Sequence, residues 1–455
     1  MISIYNLQYK YNSSVPSGWY NTKAVWKPRQ DLTKIERNQM EFSLFGSKMG
    51  CSSGIGELMK DLSAGISRSD TYMLGGGNPA HIHAVQQAFR RSAVDLLGDG
   101  DAFEKAVGEY DPPQGNPRFV TALCGLFNRE YGWNLAPENV ALTNGSQSAF
   151  YILFNLLAGR FADGRRKKVL LPLSPEYIGY ADLGLEEGLF VSNKPKLEFI
   201  NDDLFKYHID FDTLVLDESI GAICVSRPTN PTGNVLTDEE IIRLDGLARR
   251  HNIPLILDNA YGLPFPGILF TEAEPFWNEN TIVCMSLSKL GLPSVRTGIV
   301  IACREVIEAV TEINAVMSLS PGGIGAALAV KLIESGSILS LSREVVCPYY
   351  NQKRIRAIEQ IIKGLTGLPY AVHKPEGAFF LWLWLRDLPV SSEVMYQRLK
   401  QQGVLVVPGH CFFPGLAGDW PRKHQCLRIS YAMDDRVVEK GLQIACEEIR
   451  KAYQS

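Results

Sequence analysis

The chain has 455 residues, more than one hydrophobic core sustains, so at least two domains are expected. Hydrophobic residues make up 45% and charged residues 21%, the balance of an ordinary globular protein, and a formal charge of −3 gives no electrostatic basis for binding nucleic acid or an anionic membrane. The 9 cysteines are scattered and odd in number, without a CxxC pair; this argues against a disulfide framework or zinc site and for a reducing cytoplasm, and no apolar run is long enough to span a bilayer.

Residues 1–39, rich in Tyr, Asn, Ser, Lys and Pro and without periodicity, read as an extension that is disordered or loosely docked. Ile55, Leu58, Met59 and Leu62 at helical spacing predict an amphipathic helix over 52–66. Gly75-Gly76-Gly77 runs into Asn78-Pro79 and lacks the GxxxxGK[ST] spacing of a phosphate loop; glycines there suit a backbone that closely approaches a ligand. From residue 83 helical stretches (83–97, 117–130, 146–158, 238–250) alternate with short apolar runs at Val140–Thr143, Lys168–Leu171, Ala222–Ser226, Pro254–Asp258, Thr281–Met285 and Gly298–Ala302. This alternation predicts an α/β fold whose mainly parallel central sheet is covered by helices. A long helix over 338–364 then leads to Tyr370–His373, Ala378–Leu385, a helix at 392–402, Val404–Val407, Cys426–Ser430 and a terminal helix, together a smaller α+β unit. The domain plan is an extension (1–39), an N-terminal segment of the small domain (40–80), a large domain (81–345) and the rest of the small domain (346–455).

The chemistry-bearing loops each follow a predicted strand, where α/β sheets present their ligands. Asn144-Gly145-Ser146-Gln147 opens a helix, as an anion site or as a plain N-cap. Tyr177, after the strand ending at Leu171, is either a ring that lies on a planar aromatic ligand or a core tyrosine. Asn230 is held by Pro228 and Pro231 in a rigid turn. Asp258 directly follows Pro-Leu-Ile-Leu, and a carboxylate at the edge of a buried region needs a cation, whether a protonated pyridine nitrogen or a protein side chain. Ser286-Leu287-Ser288-Lys289 places a lysine just past a buried strand; partly desolvated, it can form a Schiff base, although in isolation the motif reads more readily as an ordinary loop lysine, and the other segments reverse that balance. Arg296 lies seven residues further on. Arg428 sits inside an apolar strand, as a fork for a carboxylate or as half of a buried ion pair. Taken together these groups are the set that pyridoxal phosphate requires. His81, His83, His410 and His424 read as loop histidines rather than metal ligands, because no carboxylate or cysteine completes a site at ligand spacing.

On Asn230-Pro231-Thr232-Gly233, Asp258-x-x-Tyr261, Ser286-Leu287-Ser288-Lys289 with Arg296, and Arg428-Ile429-Ser430-Tyr431, the chain from Met40 onward resembles the fold-type I pyridoxal-phosphate aminotransferases. Leu74–Pro79, Leu142–Phe150, Pro175–Tyr180 and Pro408–Gly415 are similar to the valine–pyruvate branch of that family. The resemblance implies pyridoxal 5′-phosphate, with Lys289 as the aldimine lysine and proton shuttle and Asp258 on the ring nitrogen. It implies Asn230 and Tyr261 on the phenolic oxygen and Tyr177 against the ring. It puts Gly145, Ser146, Gln147, Ser286 and Arg296 on the phosphate, with Ser288 as the alternative hydroxyl. Arg428 would clamp the substrate carboxylate, with Gly77 and Asn230 beside it. Tyr110 resembles a tyrosine that crosses to the neighbour's phosphate, which implies a homodimer with shared active sites. The lysine-to-arginine gap is one residue shorter than in many relatives. The implied reaction is L-valine plus pyruvate to 3-methyl-2-oxobutanoate plus L-alanine, in two half-reactions. A broader alanine-type aminotransferase or a C–S lyase would use the same scaffold. Transcription regulators with an aminotransferase-like domain need a DNA-binding unit larger than 39 residues.

Overall fold

A computed structural model describes residues 41–50, 56 and 71–454. The extension 1–39 and most of the helix expected over 52–66 lie outside the described residues. The chain divides near residue 48 into two compact units. Of the first, the described part is largely the short helix Leu44–Met49, none of whose residues is buried.

The second unit contains two large sheets. In the first, the strands run in the order Val140–Thr143, Gly298–Ile301, Thr281–Ser286, Leu255–Asp258, Ile220–Ser226 and Arg166–Leu171, with Phe190–Ser192 and Gly159–Arg160 also on Arg166–Leu171. Thr281–Ser286, Leu255–Asp258, Ile220–Ser226, Arg166–Leu171 and Phe190–Ser192 pair in parallel. Gly298–Ile301 is antiparallel to both its neighbours, so Val140–Thr143 again points the common way. Four central strands are buried along their whole length, as expected where helices cover both faces. The covering helices carry local stop and start signals. Pro117–Tyr131 begins with an Asn116 side-chain cap on Phe119 N and ends at Gly132 with φ 64°. Asp238–Arg250 begins with a Thr237/Glu240 capping box.

The second sheet has the order Val407–Pro408, Cys426–Ser430, Phe380–Leu385, Tyr370–His373, Leu204–His208 and Lys196–Phe199. Its last two strands come from residues 196–208, inside the span read from the sequence as large domain. The stretch read as one strand over Val404–Val407 is two. Val404–Leu405 pairs with Tyr72–Met73, and Val407–Pro408 pairs with Leu427 and Arg428. These four residues therefore tie the N-terminal glycine loop to the arginine strand. The helix expected over 338–364 runs from Ser337 to Leu365 with a widened turn at Leu341–Val346. Among the described residues no single helix is long and apolar enough to cross a membrane.

Candidate active site

The parallel strands of the first sheet end on one edge, and register aligns their last residues. Ser226 is level with Asp258, and Asp258 with Cys284, two residues before Ser286. The reversed strand Gly298–Ile301 starts where the parallel strands finish, with Ser286 opposite Gly298 and Gly298 opposite Thr143. Arg296, just ahead of that strand, is thereby delivered to the same edge as Lys289 and Gly145.

These loops enclose a cavity of about 420 Å³. Lys289 projects into it; Nζ donates to the Gly77 carbonyl at 2.8 Å and lies 5.5 Å from the Tyr261 ring centre. Burial, with the positive charges of Arg428 and Arg296, draws its pKa down to about 8. Asp258 is buried at the cavity floor. Its Oδ2 accepts from Tyr180 Oη at 2.5 Å and its Oδ1 from Ala260 N at 2.9 Å. Burial raises its pKa, opposed by the Tyr180 bond, the Ala260 bond and the charge of Lys289.

Arg428 is 3% exposed, yet its partners are neutral oxygens: Nη1 donates to Asn230 Oδ1 at 2.8 Å and Nη2 to the Gly75 carbonyl at 2.5 Å. Its Nε has no partner, and the rings of Phe380 and Phe412 lie 4.5 and 5.2 Å from the guanidinium carbon. Burial lowers its pKa to about 10. A buried cation whose hydrogen bonds go to neutral groups is a receptor for an anion, and the ion-pair alternative raised by the sequence is not what the fold builds.

At the helix Ser146–Leu157, Gly145 has φ 84°, and a Cβ there would lie 2.1 Å from Arg296 Nη2. Only glycine lets the guanidinium rest against the helix N-terminus. Arg296 itself has φ 53°, and its Nη1 bonds the Pro293 carbonyl at 3.1 Å. Ser286 Oγ is buried without a partner.

The family description aminotransferase class I and II matches residues 72–444. The chain belongs to the class I and II aminotransferases. It is 54% identical to the valine–pyruvate aminotransferase of Escherichia coli strain K12 over 414 residues, 91% of this chain and 99% of that one. The crystal structure of a Salmonella typhimurium LT2 valine–pyruvate aminotransferase superposes with a TM-score of 0.82 at 51% identity, covering 88% of this chain and all of that one. A Thermus thermophilus aspartate aminotransferase double mutant, 22% identical, shares the fold at a TM-score of 0.71 over 90% of this chain and all of that one.

Twelve of the fourteen residues singled out from the sequence line this aminotransferase's cavity. Gly145 does not line it but lies against Arg296, which does. Tyr110 does not line it; it is 80% exposed and borders a separate cleft with Asp111, Asn116 and Lys331. Gln147 lines the cavity, but its amide nitrogen donates to the Gly179 carbonyl at 2.9 Å. The Tyr177 ring packs on Gly179, where a Cβ would lie 2.3 Å from it. Three residues close to the chemistry were not singled out: Tyr180, Ser226 and Glu176. Glu176 carried a readable signal, an acid in a strand-end loop like Asp258. Tyr180 and Ser226 are ordinary core residues by pattern. Elsewhere, His410 and His424 share Glu393, and a groove of about 850 Å³ between the helices Cys347–Leu365 and Asp435–Gln454 has Arg356 paired on Asp435.

Proposed function

We propose that this aminotransferase exchanges an amino group between L-valine and pyruvate, giving 3-methyl-2-oxobutanoate and L-alanine, with pyridoxal 5′-phosphate, as a cytoplasmic homodimer. The observation that carries the reading is one cavity holding a lysine poised near pH 8, a buried acid and a buried arginine whose partners are neutral. The choice of valine and pyruvate is supported by 54% identity to the E. coli enzyme of that name.

The residues present fit the cofactor. The N-terminus of a 12-residue helix, an arginine against it and the unpartnered Ser286 hydroxyl make an anion cradle. Bound there, pyridoxal 5′-phosphate supplies a carbonyl that takes the amino group and a pyridinium that draws electrons from the substrate Cα. Lys289 would hold the group through Nζ, and Asp258, ionised, would stand against its ring nitrogen. Gly145, Ser146, Gln147, Ser286 and Arg296 would hold the phosphate, with Ser288 the alternative hydroxyl. Gln147 would act through its backbone N–H, since its side chain is committed to Gly179. Asn230 and Tyr261 would flank the phenolic oxygen, and Tyr177 would cover one face of the ring.

Arg428 would take the substrate carboxylate on its fork, with Asn230 and the Gly77 backbone beside it. Lys289 Nζ is then the base that takes the proton from the substrate Cα and later returns one there. Met73, Ile178 and Met433 give the cavity apolar wall, soft enough to accept branched neighbours of valine. Tyr110, exposed in its own chain, would serve the partner's phosphate. The described cysteines are free thiols, which supports a reducing compartment.

The test is an absorbance spectrum of the purified protein, repeated after L-valine and then after pyruvate. A visible band that bleaches with valine and returns with pyruvate is expected. A band that ignores valine and responds to another amino acid removes the substrate assignment and keeps the scaffold. No band with cofactor supplied overturns the role of Lys289.

A further inference from the structure

Beneath the cavity floor lies a second carboxyl that the mechanism does not use. Glu176 is 1% exposed. Its Oε2 lies 2.6 Å from Ser226 Oγ, and its Oε1 accepts from Ser226 N at 2.9 Å. Ser226 Oγ is 3.3 Å from Tyr180 Oη, and Tyr180 Oη is 2.5 Å from Asp258 Oδ2. Glu176, Ser226, Tyr180 and Asp258 thus form one continuous chain from a buried acid to the acid at the cavity floor.

We infer that Glu176 is a neutral carboxylic acid in the working enzyme, and that it closes this hydroxyl chain so that Asp258 is the sole anion under the cofactor ring. The inference rests on the reading of Asp258 given above. Two carboxylates joined through two hydroxyls, both buried, cannot both ionise cheaply. The charge settles where a cation sees it. Lys289 acts on Asp258, whereas the ionisable groups that shift or face Glu176 are Asp258, Tyr180, Tyr177 and Cys224, none of them a cation among the described residues. Burial, helped by the charge of Asp258, lifts Glu176 to about 8 against the pull of its bonds from Ser226 and Tyr177. With the proton on Oε2, Glu176 donates to Ser226 Oγ, Ser226 donates to Tyr180, and Tyr180 donates to Asp258. Each hydrogen then points at the one charge. Ionising Glu176 reverses the first link and sets a second negative charge behind Asp258.

The first test uses the unmutated, cofactor-free protein labelled with carbon-13 at glutamate side-chain carboxyls. One glutamate titrating near pH 8 is expected. The other described glutamates with a resolved shift are lowered, so the signal identifies itself. No glutamate titrating between about 7 and 9 overturns the inference, whatever the enzyme catalyses.

The second test is pyridoxal 5′-phosphate affinity of E176Q against wild type, since glutamine copies the protonated acid. At pH 9 the variant should bind about tenfold tighter than wild type, and the advantage should vanish by pH 7. Weaker binding by E176Q at both values would mean that the carboxylate is the working form, and it overturns the inference. Should the variant not fold, the labelled wild-type titration still decides. Loss of amino transfer with valine leaves both readouts standing, so failure of the substrate assignment is distinguishable from failure of Glu176.

Discussion

An ammonium at Lys289 has one hydrogen bond, to the Gly77 carbonyl, and two guanidinium charges acting on it. That is an under-solvated cation, and in the cofactor-free protein it costs stability. The folded pKa, about 8, is below the ordinary 10.5. The cost is therefore full below about pH 8 and is relieved as pH rises toward 10.5. K289M should abolish amino transfer yet stabilise the cofactor-free fold at pH 7 by on the order of 2–3 kcal/mol. The gain should shrink to nothing above pH 10.5. Denaturant melts at pH 7 and pH 10 check it, and equal gains at both would sink the argument. Arg428 offers a different measurement. R428K keeps a charge and loses the planar fork between Phe380 and Phe412, so KM for the amino acid should rise about 10- to 100-fold. Steady-state kinetics that left KM unchanged would remove Arg428 from the carboxylate. Arg428 and Asp258 stood out in the sequence because each puts a charge inside or at the end of an apolar strand, where a buried charge needs a reason, and Lys289 stood out just past such a strand only in company with them. Tyr180 was not, since the carboxyl it binds is 78 residues away, and nothing local distinguishes it from a packed core ring.

The strand-to-helix turn at Gly145 joins sequence to site at the next scale. Any side chain there meets both a left-handed φ and the Arg296 guanidinium. G145A should cost about 1–3 kcal/mol in stability and weaken cofactor binding more than substrate binding. Equilibrium dialysis of pyridoxal 5′-phosphate against the variant reads this directly; wild-type affinity would show that the guanidinium need not touch the helix. The helices with strong caps, such as Pro117–Tyr131 and Asp238–Arg250, could be read because their signals lie within a few residues. Arg304–Ser318 was missed because its buried face is narrow and includes a polar residue: Ile307, Val310 and Asn314. The hairpin over 196–208 was missed for a different reason. Lys196–Phe199 is short and mostly exposed, and Leu204–His208 pairs with Tyr370–His373, Leu204 standing opposite Val372, 168 residues further on. Local pattern carries no record of such a partner.

At the scale of the whole molecule, Tyr110 stands apart from the cavity of its own chain. In its own chain it is 80% exposed, and Val94, Leu97 and Val107, on the two helices that precede it in the chain, are exposed apolar residues. A tyrosine so placed has nothing to do in its own cavity. If it serves a partner, activity can be rebuilt from two defective chains. Y110A should lose about tenfold or more in cofactor affinity, and K289A should be inactive. In a hybrid of the two, one site has lost both its lysine and the tyrosine reaching it. The other keeps Lys289 in the Y110A body and receives Tyr110 from the K289A chain. Equal co-expression gives about half hybrids, hence about a quarter of all sites intact. Amino transfer at limiting cofactor should then rise toward a quarter of wild type, well above the mean of the two parents. In the contrary case, with Tyr110 acting on its own chain, every hybrid site carries one defect, and the mixture stays at the parental mean. Because the lysine variant contributes no turnover, any excess can come only from Tyr110 supplied across an interface, which makes the hybrid a test of the dimer and of the residue at once.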